Sequence, residues 1–368
     1  MRKFFAVILA VTAAVLAAFF CDLRASAEEF DYGREELEEA LPSDARDYLE
    51  SMEITPETPR TFSFGEALKN AWELLRNKAA KPLRMLCGLC GVVLFCALAE
   101  SVADAGSLKG ALSAVSVLCG AGIAAAAMYD LLESSLTAIG AAANFMLVFI
   151  PVLTGISAAL GHTLTAAAAN SAILGCTQLF SQLAANFLAP LCGSILGVST
   201  AGAIHPQLKL DKLGEVVKKL VVWGLTLLMT IFMGVLSLQT AVSAASDNAA
   251  IKAAKFMVSQ GVPIIGGTVS DAVNTLQSGI GVLKSGVGVY GIIAVAVMIV
   301  PVLASLVCYK AAAIAAEGLA EMFGLKELTA LFKSCGAVVT IIIAIVACVL
   351  LINTIAAAIV LCMTGNGG

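Results

Sequence analysis

Residues 335–362 read CGAVVTIIIAIVACVLLINTIAAAIVLC, without a single charged side chain. A run of this length exceeds the roughly 20 apolar residues a helix needs to cross the hydrocarbon core of a bilayer. The apolar residues are continuous rather than alternating, and the run is far longer than a barrel strand of about 9–11 residues. It therefore reads as a helix that lipid, not water, can solvate. Working outward, stretches of the same character recur at 84–103, 109–131, 142–161, 163–187, 188–204, 219–245 and 290–310. Together they predict an all-α, polytopic transmembrane helix bundle of about 7–8 spans. Composition agrees: 60% of residues are apolar, 13% are charged, and mean hydropathy is +0.94. A soluble domain carries about 25% charged residues, so this chain has too few polar side chains to clothe a surface facing water. No part of it is basic in the manner of a nucleic-acid binder.

The N-terminus has a different character. Arg2 and Lys3 precede an apolar run from Phe4 to Phe20, and Ala25-Ser26-Ala27 supplies a small-x-small cleavage pattern. These features predict a secretory signal peptide over 1–27. Residues 28–83 are then expected on the extracytoplasmic face, with the transmembrane domain over 84–368. Close to half the acidic residues of the chain fall in 28–60, where Leu37, Leu41, Tyr48, Leu49 and Met52 punctuate a stretch interrupted by Pro42. Ser63 and Glu66 form a capping box. It opens a helix over 64–81 whose Phe64, Leu68, Ala71, Trp72 and Leu75 share one face, as in a helix lying at the membrane interface. Pro82 is expected to redirect the chain into the first span. This orientation places Lys209, Lys212, Lys218, Lys219, Lys310, Lys326 and Lys333 inside, as the positive-inside rule prefers. Arg76, Lys78, Lys81 and Arg84 oppose it, and the export signal is given precedence.

Two polar stripes are the candidate functional features. Between Gly266-Gly267 and Gly286-Val287-Gly288, apolar residues repeat at helical spacing, while Asp271, Asn274, Ser278, Gly281 and Ser285 recur at steps of three and four. An amphipathic helix near 265–285, flanked by glycines, follows. It is either re-entrant, facing a watery lumen, or laid flat at the membrane surface, because irregular backbone at membrane depth needs protein or water beside it. The second stripe lies in 163–187: Thr163, Asn170, Thr177 and Ser181 on one side, with Ser171, Gln178 and Gln182 beside them. Such hydroxyls and amides either join helices by hydrogen bonds or line a water-filled path. Asp271, Asn274, Ser278, Ser285, Asn170, Thr177, Gln178 and Ser181 are accordingly the candidate conduit-lining or partner-contact residues.

Signs of chemistry are few. The two histidines, His162 and His205, are far apart, and no H-E-x-x-H, phosphate-binding loop or G-x-S-x-G elbow is present. Cys87-x-x-Cys90 has zinc-like spacing but lacks a second ligand pair, and the cysteines read as small packing residues in apolar helices. No catalytic, cofactor or metal site is expected. Glu100 is the deepest ionisable residue, and so few buried charges poorly suit an ion-coupled transporter.

The order of these features resembles the stage III sporulation protein AE family of endospore-forming Firmicutes. The resemblance rests on Phe64-Gly65-Glu66-Ala67-Leu68 leading into the first span, then Val262-Pro263-Ile264-Ile265-Gly266-Gly267-Thr268-Val269-Ser270-Asp271-Ala272 and Gly286-Val287-Gly288-Val289-Tyr290-Gly291, over roughly 35–362. It implies a non-enzymatic, multi-pass subunit in the mother-cell membrane facing the forespore. There it would belong to a channel-like, secretion-like complex whose partners include a secretion-type ATPase and ring-forming subunits. The rival expectation is a self-sufficient small-molecule permease. Such transporters often carry inverted repeats with broken helices in matching places, and only one broken region, 257–290, stands out here.

Overall fold

The computed structural model describes residues 33–51, 54–55, 80–102, 107–159, 163–204, scattered positions between 216 and 234, and 266–362. For some helical residues, among them Glu100, 163–170 and 266–285, the backbone alone is described. The predicted signal peptide, the interfacial helix before residue 80, both histidines and most of the span predicted at 219–245 lie outside the described residues. Among those described, all regular structure is α-helical. The helices are α1 (Arg34–Glu39), α2 (Ser43–Ser51), α3 (Ala80–Val102), α4 (Ser107–Ala159), α5 (Thr163–Ile204), α6 (Gly266–Met322) and α7 (Lys326–Cys362).

Four of the described helices contain stretches long and apolar enough to cross a membrane: Ala80–Ala99, Ala111–Ala159, Gly286–Met322 and Lys326–Ala358. Large apolar side chains such as Leu94, Phe95, Leu98, Leu118, Leu179 and Phe187 project outward. Water would penalise that surface, whereas acyl chains solvate it without cost.

Several boundaries differ from the sequence expectation. The spans expected at 109–131 and 142–161 are parts of one continuous helix, α4, and those at 163–187 and 188–204 are parts of α5. Asp130 to Thr137 is polar but not helix-breaking. Ser134 and Ser135 donate to the Leu131 carbonyl and Thr137 to that of Glu133, so the hydroxyls are satisfied by the helix they sit on. Pro151 and Pro190 are likewise accommodated within their helices, with Thr154 donating to the Ile150 carbonyl and Ser194 to that of Pro190. The amphipathic segment near 265–285 is continuous with the span after it, in α6, with no break at Gly286–Gly291. Pro82 sits inside the first turn of α3 rather than before it, where the N–H it lacks would have had no helical partner.

Among the described residues, the long helices α6 and α7 are separated at Gly324. Its φ of +74° is a left-handed conformation suited to glycine. The Gly324 N–H donates to the Glu321 carbonyl and the Leu325 N–H to that of Ala320, the paired bonds of a Schellman cap. Leu325 and Ala320 are both buried beneath it. The cap turns α6 back along α7, and Lys310 on α6 donates to the Gly336 carbonyl on α7 at 2.6 Å.

The helices interlock at a few fixed points. Gly88 lies against Ile123, and Lys81 Nζ is 3.3 Å from Asp130 Oδ2, so α3 and α4 form an antiparallel hairpin. Gly120 of α4 faces Leu328, Leu331 and Phe332 of α7, and Gly291 of α6 receives the ring of Phe149 on α4. α7 is the most enclosed helix: Leu331, Phe332, Val338, Val339, Ile342 and Val346 are buried, and it packs on α4, α5 and α6. The acidic N-terminal segment joins this core. Leu37, Leu41, Ala45, Leu49 and Ile54 are buried at four-to-five-residue spacing, α1 packs on α4, and α2 packs on α6. Pro42 separates α1 from α2, and Arg46 of α2 donates to the Glu38 carbonyl of α1, closing the corner.

Candidate functional site

The charged residues set the frame for the polar ones. Residues 134–159 of α4, 163–204 of α5, 285–309 of α6 and 334–362 of α7 contain no Asp, Glu, Lys or Arg. The α4 portion alone rises about 39 Å at 1.5 Å per residue, enough to match a hydrocarbon core of about 30 Å. At one end of this uncharged zone stand Lys81, Asp130, Glu133 and Lys310. Near the other, Gly33 at the start of α1 lies against Val152, and Arg34 pairs with Glu38 at 2.9 Å on the exposed side of α1.

Within the zone, α5 carries the second predicted stripe. Gln178 donates from Nε2 to the Ala143 carbonyl of α4 at 3.1 Å, a direct bond between helices. Thr177 is only 1% exposed and Ser181 7%. One turn apart, Thr177 and Ser181 lie on the same inward face. Gln182 and Ser171 are exposed instead. The structure thus brings together Thr177, Gln178 and Ser181. Asn170 lies about two to three turns before them on α5, and Asp271, Asn274, Ser278 and Ser285 lie along the N-terminal part of α6; the side chains of these five lie outside the described residues.

One buried amide escaped the sequence reading. Asn353, in the C-terminal third of α7, is 1% exposed, and both its Nδ2 and Oδ1 lack a partner. The Thr177 hydroxyl also lacks one. Of the other buried hydroxyls, Ser135 bonds to Leu131, Thr154 to Ile150 and Ser157 to Leu153 on their own helix, while Ser116 Oγ on α4 also lacks a partner. The signal that could have found Asn353 was its isolation: it is the only amide in the uncharged run 335–362, and a polar group at that depth is costly unless something meets it. Among the described residues, no group of three His, Cys, Asp or Glu is placed to hold a metal ion, and Cys87, Cys90, Cys96, Cys119, Cys308, Cys335 and Cys348 are free thiols.

Long apolar helices, lipid-compatible side chains on the outside and neutral polar groups within define a helical membrane protein. A sequence model of the stage III sporulation protein AE family matches residues 45–364, and the chain belongs to that family. It is also similar to the stage III sporulation protein AE of Bacillus subtilis (strain 168), 28% identical over 156 residues. That match covers 42% of this chain and 38% of the relative's own length. No solved structure matches.

Proposed function

We propose that the chain is a non-enzymatic, multi-pass subunit of a transenvelope channel complex between mother cell and forespore, needed for forespore development after engulfment. Membership of a sporulation family by a protein of this apolarity is the observation that carries the reading. The helices supply a membrane platform or part of a conduit. The acidic segment containing α1 and α2 sits on the extracytoplasmic side and presents Glu35, Glu36, Glu39, Asp44 and Asp47 to partners, since these are exposed while the leucines between them are buried. The partners are a secretion-type ATPase, ring-forming subunits and membrane lipid. The candidate lining residues are the polar positions of α5 and of the N-terminal part of α6.

Affinity purification of the tagged chain from sporulating cells, in mild detergent, tests this proposal. The ATPase and ring-forming subunits should copurify. If the chain elutes alone and, reconstituted in liposomes, moves a small solute unaided, it is a self-sufficient permease and the proposal fails.

A further inference from the structure

The unpartnered groups at Thr177 and Asn353 lie on helices that pack together, α5 on α7, and both helices pack on α4. Their heights follow from the fixed points already described. Gln178 bonds to Ala143, which registers α5 against α4. Gly120 faces Leu328, Leu331 and Phe332, which registers α7 against α4, the two running parallel. Counting along each helix from these contacts places Thr177 and Asn353 at the same height to within about one helical turn, level with residues 143–146 of α4. At that level one hydroxyl and one amide, carried on two of three mutually packed helices, are enclosed and unmet.

We propose that Thr177 and Asn353 together hold a small, neutral hydrogen-bonding guest, water in the cell, at the junction of α4, α5 and α7. Asn353 offers a carbonyl oxygen and two N–H donors, and Thr177 one hydroxyl that both donates and accepts. An ion is a poor occupant, because the uncharged zone around the junction supplies no counter-charge and an unpaired ion there would be heavily penalised. Water has the matching mixture of donor and acceptor, and buried water in proteins characteristically bridges otherwise unsatisfied polar groups. The site stands independently of the sporulation role, since it follows from packing and polarity alone.

A double-mutant cycle on the full-length chain in detergent tests the site, with Thr177→Val, Asn353→Leu and the pair, read as thermal midpoints. A shared guest couples the two positions: each single change strands the guest and the remaining polar group, lowering the midpoint by a few degrees, and the double variant melts no lower than the worse single. Strictly additive shifts overturn the proposal. A cryo-EM map of the unmodified chain provides the second readout and needs no variant to fold. Density for an ordered molecule about 3 Å from both side chains is expected; a direct Thr177–Asn353 hydrogen bond, or an empty gap, overturns it.

Discussion

Gly291→Ala should destabilise the bundle despite adding a better helix former. A Cβ built there would lie 2.7 Å from Phe149 Cδ2 and closer still to Cε2 and Cζ, within the edge of the ring. Phe149 has little room to retreat: it is fully buried and stacks on Phe145, with ring centroids 5.5 Å apart and planes 15° from parallel. Overpacking of this kind costs about 1–3 kcal/mol, and the blocked retreat argues for the upper end. Replacing a helical glycine by alanine returns about 1 kcal/mol. The net loss is about 2 kcal/mol, which for a chain of this size lowers the thermal midpoint by roughly 3 °C. Thermal unfolding of the purified protein in detergent measures it, with Gly318→Ala as the control. Gly318 has open space where its Cβ would go, so that change should leave the midpoint equal or raise it by about 1 °C. Adding Phe149→Leu to Gly291→Ala should cost less than the sum of the two singles, because the shorter side chain removes the clash. An unchanged midpoint for Gly291→Ala, or additivity with Phe149→Leu, would refute the close approach of α4 and α6.

Three further outcomes follow from the same contacts. Leu37→Asp places a charge at a fully buried position of α1 and should release α1 and α2 from the bundle, read as new cleavage within residues 34–51 by a glutamate-specific protease while α3–α7 stay protected. Lys310→Met removes the 2.6 Å bond to the Gly336 carbonyl and should cost about 1.5–3 kcal/mol as a charge-assisted hydrogen bond, measured as a lower midpoint. Replacing Asp271, Asn274 and Ser278 together by Leu should abolish spore formation while the chain still copurifies with its partners, if the N-terminal part of α6 lines a conduit; normal spore yield would remove those residues from the candidate site.

Sequence alone carried the solvent and the class. The uncharged runs at 335–362 and 142–161, and the run at 290–310 that is uncharged up to Lys310, reappear as the apolar lengths of α7, α4 and α6, because absence of charge over about twenty residues leaves lipid as the suitable surroundings. Gly324 was also legible as an interruption, and so was Pro42, though the two short helices on either side of it were not. The joins were not legible. Asp130, Glu133 and the hydroxyls after them look like a loop, yet each hydroxyl folds back on its own helix and the backbone never leaves α-geometry. Gly286, Gly288 and Gly291 look like hinges, yet they are buried within α6, and Gly291 is small because a ring on another helix must approach it. That requirement lies in tertiary packing and leaves no local trace. Of the candidate site, Thr177, Gln178 and Ser181 were readable as a stripe. Asn353 was missed because it stands alone, and a stripe needs company.

The most direct measurement is the yield of heat-resistant spores, with microscopy of the stage reached, in the source bacterium lacking this chain. A membrane subunit serving the engulfed forespore predicts that engulfment completes, development then halts, and heat-resistant spores are lost until the chain is restored. Spores formed at normal yield in its absence would contradict the proposed role.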